Sequence, residues 1–137
     1  MVARLGRRLI AMEEPILAAH GISMWAYVAL SALDRRATRT QAALAAAIGA
    51  DKTRLIPVLD DLQRRGLITR EPDPADRRVR VLNLTPAGRK LHAAVRADIR
   101  AAEDTLLAGV AEQDRSGFLA VLQALDRPGP QTDQGRR

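Results

Sequence analysis

The stretch from Thr40 to Leu84 constrains the fold of this chain more than any other. Thr40 stands where it can cap a short helix, QAALAAAIG, which Gly49 closes. Asp51 caps a second helix, KTRLIPVLDDLQRRG, closed by Gly66, with Leu55, Val58, Leu59 and Leu62 on its core face. Two short helices joined by a turn of about three residues that includes glycine form a helix-turn-helix candidate. Any helical bundle contains such pairs, so the next segment of the chain has to decide. Residues 67–71 and 79–84 read as two strands, separated by a loop far more charged than a turn needs. A lone hairpin is only marginally stable, so this one is expected to pack directly on the helix pair.

The flanking segments are helical. Leu5, Leu9, Met12 and Ile16 form one stripe in a first helix, with Pro15 expected to bend or restart it. Ser23 caps a second helix whose inner face is Trp25, Val28, Ala29, Ala32 and Leu33, and which ends on Arg35 and Arg36 at the negative end of its dipole. After the strands, Thr85 caps a fifth helix with Pro86 in its first position. Its stripe of Leu91, Val95, Ile99, Ala102, Leu106 and Val110 is longer than the core of so small a domain needs. A sixth helix carries Phe118, Val121, Leu122 and Leu125, and residues 127–137 read as a frayed tail. The surplus apolar surface at both ends predicts a two-fold homodimer.

Composition removes several function classes. With 137 residues the chain is expected to be a single domain, residues 1–137, and with no cysteine it has no disulfide, thiolate metal site or thiol catalysis. No apolar run approaches a membrane span, and Glu13 and Glu14 interrupt what a signal peptide would keep apolar. A cytoplasmic protein with no membrane partner is expected. Trp25, Tyr27 and Phe118 are the whole aromatic set, too few for the stacking platforms of a single-strand binder. No nucleophile elbow or phosphate loop is present, so no enzyme is expected. His20 and His92 could be combined with Glu13 or Glu14, but neither histidine has a ligand at close helical spacing, so no metal or other cofactor is expected.

Charge is more informative. Of the 22 basic residues 20 are arginine, a bias that a GC-rich genome accounts for as well as phosphate binding does. Their placement is another matter. Residues 38–90 hold 11 basic and 6 acidic side chains, net +5, whereas the other 84 residues hold 11 and 10, net +1. Such a concentration is the footprint of a lobe that meets a polyanion.

The order helix, helix, helix-turn-helix, basic hairpin, long helix, short helix resembles the MarR family of transcription regulators over residues 4–126. DPADRRVRVLNLTPAG is similar to that family's wing signature, and LAAAIGADKTRLIPVLDDLQRRGLITR to its helix-turn-helix running into the first wing strand. The resemblance implies a mainly α fold with a small β-hairpin wing: a winged helix-turn-helix lobe over residues 38–90, dimerisation helices over 1–22 and 91–126, and a flexible tail over 127–137. It implies a recognition helix in the major groove and a wing in an adjacent minor groove. Lys52, Thr53, Arg54, Ile56 and Pro57 are then the candidate base-contacting residues. Thr40 and Gln41 are candidate phosphate anchors. Arg77 and Arg78, with Arg80 behind them, are candidate minor-groove residues, because a compressed minor groove favours a narrow cation. Asp73 and Asp76 are expected to support the wing, by capping its backbone or by pairing with an arginine. Pro57 departs from the family, many of whose members have a polar or basic residue there. Asp60 and Asp61 are expected to point away from phosphate.

The resemblance also implies a small-molecule effector, with Met12, Ile16, Met24, Trp25 and Tyr27 as candidate pocket residues between the first, second and fifth helices. Ordinary core packing is the favoured account of those five. The expected function is a ligand-responsive repressor, binding double-stranded DNA as a homodimer on a pseudopalindromic operator. The alternative is a winged-helix module that binds protein, for which a lobe of +5 has no use.

Overall fold

Each expected cap is in place. The Ser23 hydroxyl accepts from the Ala26 N–H at 3.1 Å, Thr40 from Ala43 at 3.1 Å, Asp51 from Thr53 at 3.0 Å and Thr85 from Gly88 at 3.0 Å. Gly49 and Gly66 follow the third and fourth helices with φ of 63° and 69°, the left-handed conformation that favours glycine. The structure, a computed structural model, describes residues 2–35 and 39–125. Its elements run α1 (Val2–Ala19), α2 (Met24–Arg35), β1 (Arg39–Thr40), α3 (Gln41–Ile48), α4 (Lys52–Arg64), β2 (Ile68–Pro72), β3 (Arg80–Leu84), α5 (Pro86–Leu107) and α6 (Glu112–Leu125). Arg36, expected at the end of α2, and the expected tail over 127–137 lie outside the described residues. No single described helix is long and apolar enough to cross a membrane.

The chain divides into two compact units, Met1–Arg100 and Ala101–Arg137. The core belongs to the first. Leu30, Leu33, Leu44, Leu59, Leu62, Ile68, Leu82 and Val95 are its fully buried large side chains, so α2, α3, α4, the sheet and α5 each contribute. In the second unit Arg115 pairs with Asp104, while Phe118, Leu119, Val121, Leu122 and Leu125 of α6 are all exposed.

Four expectations need correction, and a fifth, that Pro15 bends or restarts the first helix, is narrowed. The hairpin is part of a three-stranded antiparallel sheet of order β1-β3-β2, in which Arg39 and Thr40 pair with Leu82 and Val81. A two-residue strand has no alternation by which a sequence could announce it. The hairpin strands begin one residue later than expected, because Leu67 is spent on the junction after α4 and Val79 on the loop. Helix α1 runs through Pro15 without restarting. Ala11 is exposed, so water can take the carbonyl that Pro15 leaves without a donor. In α2 the buried face is Ala26, Ala29, Leu30 and Leu33, with Trp25, Val28 and Ala32 half-buried beside it. The small Ala26 lets the helix sit close, and the bulky Trp25 is turned to the flank. Finally, Val110 lies exposed beyond the end of α5, where the chain turns at Gly109.

The start of α5 is pinned by a close approach. A Cβ on Gly88 would lie 2.0 Å from the backbone carbonyl oxygen of Leu67, a distance no side chain tolerates. Gly88→Ala is therefore expected to destabilise the protein by about 3 kcal/mol, the upper end of overpacking costs, since the obstacle is backbone and not a movable side chain. Urea denaturation monitored by circular dichroism measures this. An unchanged midpoint would mean that α5 can move away from Leu67 freely.

Candidate nucleic-acid interface

The first turn of α4 projects from the core side chains Leu55, Leu59 and Leu62 on the opposite face. Lys52, Thr53, Arg54, Ile56 and Pro57 are all exposed, Ile56 at 43%. Pro57 is inside the helix. The bond it removes would have ended on the carbonyl of Thr53, in the exposed first turn where water can replace it. At the head of α3, Thr40 spends a lone pair on its cap, which leaves the hydroxyl proton free to donate, and Gln41 is half-buried beside it.

The carboxylates of α4 are occupied. Asp60 holds Arg70 of β2 at 2.6 Å, and Asp61 pairs with Arg64 and, at 3.4 Å, with Arg65. Arg65 also donates to the carbonyl of Gly21 at 2.8 Å, tying the end of α4 to the α1–α2 turn. Arg70 has no counterpart among the sequence-derived candidates, yet it joins α4 to the middle of β2. Nothing in the local sequence separates it from its neighbours, since its partner is ten residues away on another element.

The hairpin tip is built by its two aspartates. Asp73 accepts from the N–H of Ala75 at 2.8 Å, and Asp76 from the N–H of Arg78 at 3.0 Å. Backbone bonds Asp73 N–H to Val79 O and Val79 N–H to Asp76 O, both 2.9 Å, close the loop. Backbone capping is thus the role these side chains have here, and among the described residues neither pairs with an arginine. Arg77, Arg78 and Arg80 are exposed and make no ion pair among the described residues. The result is a stiff loop that presents free guanidinium groups.

Of the five candidate pocket residues only Tyr27 lines one of the main cavities, while Ile16, Met24 and Tyr27 pack against the core. Met12 and Trp25 are half-buried. These cavities lie along the seams of α2 with α3 and α5. One of about 380 Å³ is lined by Tyr27, Val28, Ala32, Ala47 and Ile48 among others. Another of about 380 Å³ lies on α5 around Arg89, Arg96 and Arg100.

Between them sits His92, 5% exposed. Its Nε2 is 3.0 Å from the Ser31 hydroxyl, its Nδ1 is 3.5 Å from Asp34, and its ring lies 5.6 Å from that of Tyr27. Burial holds its pKa below the usual 6.5; Asp34 pulls the other way, and Arg96 and Arg35 add to the depression. His20 bonds to Asp98 at 2.6 Å. Among the described residues no group of three His, Asp or Glu side chains is placed to hold a metal ion.

Comparison with known proteins agrees with this geometry. A model of the MarR family matches residues 20–79. A solved MarR-family transcriptional regulator from Silicibacter pomeroyi is 30% identical, with a TM-score of 0.74 over 90% of this chain and 84% of that one. CouR from Rhodococcus jostii RHA1, solved with p-coumaroyl-CoA, is 26% identical with a TM-score of 0.76, covering 93% and 90% of the two chains. The repressor CouR solved on a 23-mer DNA duplex gives 27% and 0.79, over 92% and 89%. A Thauera aromatica protein named for regulation of the hcr operon is 26% identical over 117 residues, 85% of this chain and 70% of its own.

His92 makes folding stability depend on pH. Its folded pKa is depressed, so as pH falls below about 6.5 the unfolded chain takes up the proton first. Stability is full above that value and declines below it until the folded protein is protonated too, with a slope of no more than one proton. Urea midpoints measured between pH 8 and 5 should fall at the acid end. In His92→Gln that part of the decline should vanish, whereas an unaltered profile would assign it to other groups.

Proposed function

Because the chain belongs to the MarR family of transcriptional regulators, we propose that it is a sequence-specific repressor of double-stranded DNA, released by a small-molecule ligand and acting in the cytoplasm as a homodimer on a pseudopalindromic operator. The observation that carries this reading is the pairing of an exposed first turn of α4 with a wing tip of free arginines, while Asp60, Asp61, Asp73 and Asp76 are tied to other groups. The relative solved on a DNA duplex supports it. Residues 38–90 form the DNA-binding lobe, and 1–22 and 91–126 the dimerisation helices. Lys52, Thr53, Arg54 and Ile56 meet base edges in the major groove, Thr40 and Gln41 hold phosphate, and Arg77 and Arg78 enter the minor groove with Arg80 at its edge. Pro57 offers only an apolar contact. This is regulation by binding; no catalytic role is assigned.

The test is binding of a duplex spanning the chain's own promoter, followed as salt is raised. Affinity should fall steeply, since each phosphate contact releases counterions. A flat response would favour a protein-binding module. Arg77→Ala and Arg78→Ala should each cost about 1–3 kcal/mol and lower the salt slope by about one charge, across operator variants alike. Lys52→Ala or Arg54→Ala should instead relax preference at particular base pairs. Wild-type affinity in both wing variants would refute the wing's role.

A homodimer is supported by the exposed apolar side chains of α6 and by Leu5 and Ile10 of α1, the last 50% exposed. A two-fold dimer sets two recognition helices about 34–36 Å apart, one turn of DNA. Light scattering at micromolar concentration should report twice the chain mass. Leu119→Glu combined with Leu122→Glu should give a folded monomer with greatly weakened operator binding, and a wild-type mass in that variant would place the interface elsewhere.

A further inference from the structure

The outward face of α4 has an apolar centre between two cations. At about 3.6 residues per turn, Thr53, Ile56, Pro57 and Asp60 fall on one stripe, opposite the buried Leu55, Leu59 and Leu62. Lys52 and Arg54 flank that stripe on either side, and all six outward residues are exposed. Asp60 is held by Arg70 at 2.6 Å, which leaves Thr53, Ile56 and Pro57 as the free middle of the stripe. The net +5 charge of residues 38–90 and the unpaired arginines of the wing tip favour a polyanion as what lies against this lobe.

An A·T pair in the major groove can be recognised from either base. Adenine presents N7 and its N6 amino group, which an asparagine or glutamine takes together, and thymine presents a C5 methyl group. The first route is closed to this stripe. Residues 52–60 contain no asparagine or glutamine, and Gln63, the one amide of α4, comes about two turns after Ile56. Lys52 and Arg54 suit guanine. The side chains of Ile56 and Pro57 neither donate nor accept a hydrogen bond, so at a base edge they match only the methyl group. Contact costs them little order, because the proline ring is fixed and the β-branched isoleucine is stiff at χ1. A protein partner fits poorly: an apolar ledge of two residues between two cations is far from the extended centre of a stable interface.

We propose that Ile56 and Pro57 read thymine methyl groups, so that each operator half-site carries A·T pairs under the middle of α4, with Lys52 and Arg54 left for guanines beside them. The inference rests on the DNA-binding reading above and names the bases that its recognition helix selects. Pro57 is then a specificity determinant. It gives up one helix hydrogen bond in an exposed turn and presents a rigid apolar edge to the groove.

The tightest duplex that the full chain selects from a random-sequence pool is resynthesised with deoxyuridine in place of one thymine at a time. This removes the C5 methyl group and keeps the pairing edges, and binding is followed by fluorescence anisotropy. At one position or more in each half-site the wild type should lose about fourfold in affinity, the equivalent of one methyl-sized group returned to water. Ile56→Ser and Pro57→Ser should each bind the thymine duplex about fourfold more weakly, and should cease to distinguish deoxyuridine at one of those positions. Arg78→Ala should weaken binding yet keep the full methyl sensitivity, which separates contact at α4 from altered DNA shape. Thermal melting checks that each variant is folded. Wild-type affinity for every deoxyuridine duplex, serine variants that both keep the full methyl sensitivity, or its loss in Arg78→Ala would each overturn the proposal. A pool from which no sequence is enriched would overturn the sequence-specific reading as well. Enrichment together with indifference to deoxyuridine sinks the thymine reading alone.

Discussion

The architecture hinges on one seam, where the chain leaving α4 meets the chain entering α5. The Thr85 hydroxyl donates to the carbonyl of Gly66 at 2.7 Å and accepts from the N–H of Gly88, while the Thr85 N–H donates to the carbonyl of Leu67 at 3.1 Å. Leu67 itself donates back to Leu62 at 2.9 Å, closing α4. A handful of residues from two elements thus satisfy the loose ends of both helices and the base of the hairpin at once. Gly88 is part of the same joint, since any side chain there would enter the Leu67 carbonyl. Because the hairpin starts and ends at this seam, its direction relative to α4 is fixed. Asp60 and Arg70 brace it from the side. Rigidity of this kind lowers the cost of presenting α4 and the hairpin together to a partner.

The same economy governs charge. A basic stretch of sequence makes a binding face only if its own acids do not neutralise it. Five of the six carboxylates in residues 38–90 are committed to local work: Asp51 to a cap, Asp60 and Asp61 to arginines of the scaffold, Asp73 and Asp76 to the wing backbone. The arginines these acids pair with, 64, 65 and 70, lie at the end of α4 and on β2, away from the wing tip. Net charge says how much positive potential exists. The hydrogen bonds say where it is left uncompensated.

This division also explains how much of the molecule is legible in its sequence. Caps at Ser23, Thr40, Asp51 and Thr85 can be read because each acts within three residues of itself, and the helix–hairpin–helix order follows from them. Strand β1 cannot, since its existence depends on a partner more than forty residues later. The buried face of α2 differs by one position from its periodicity, which weighs Trp25 above Ala26, while packing prefers the smaller residue at a close crossing. The cavity escapes a sequence reading for a related reason. Apolar and aromatic residues near Trp25 suggest a pocket, but one cavity lies where Ser31 on α2 meets His92 on α5, 61 residues apart, and Asp34, Arg35 and Arg96 are among its walls. Polar concavities leave no periodic trace.

Helix α2 then acquires a double role. It packs against α3, α4 and β3 on its buried side, and Tyr27, Ser31 and Arg35 on it line the cavity beside His92. A ligand bound equally well by the DNA-competent and released states changes nothing, however tightly it is held. Moving the balance from 1:99 to 99:1 requires about 5.5 kcal/mol of preference between them. For an occupant of the cavity between α2 and α3, such a preference requires a wall that moves together with the helix-turn-helix, and among the lining residues Ala47 and Ile48 belong to α3 itself.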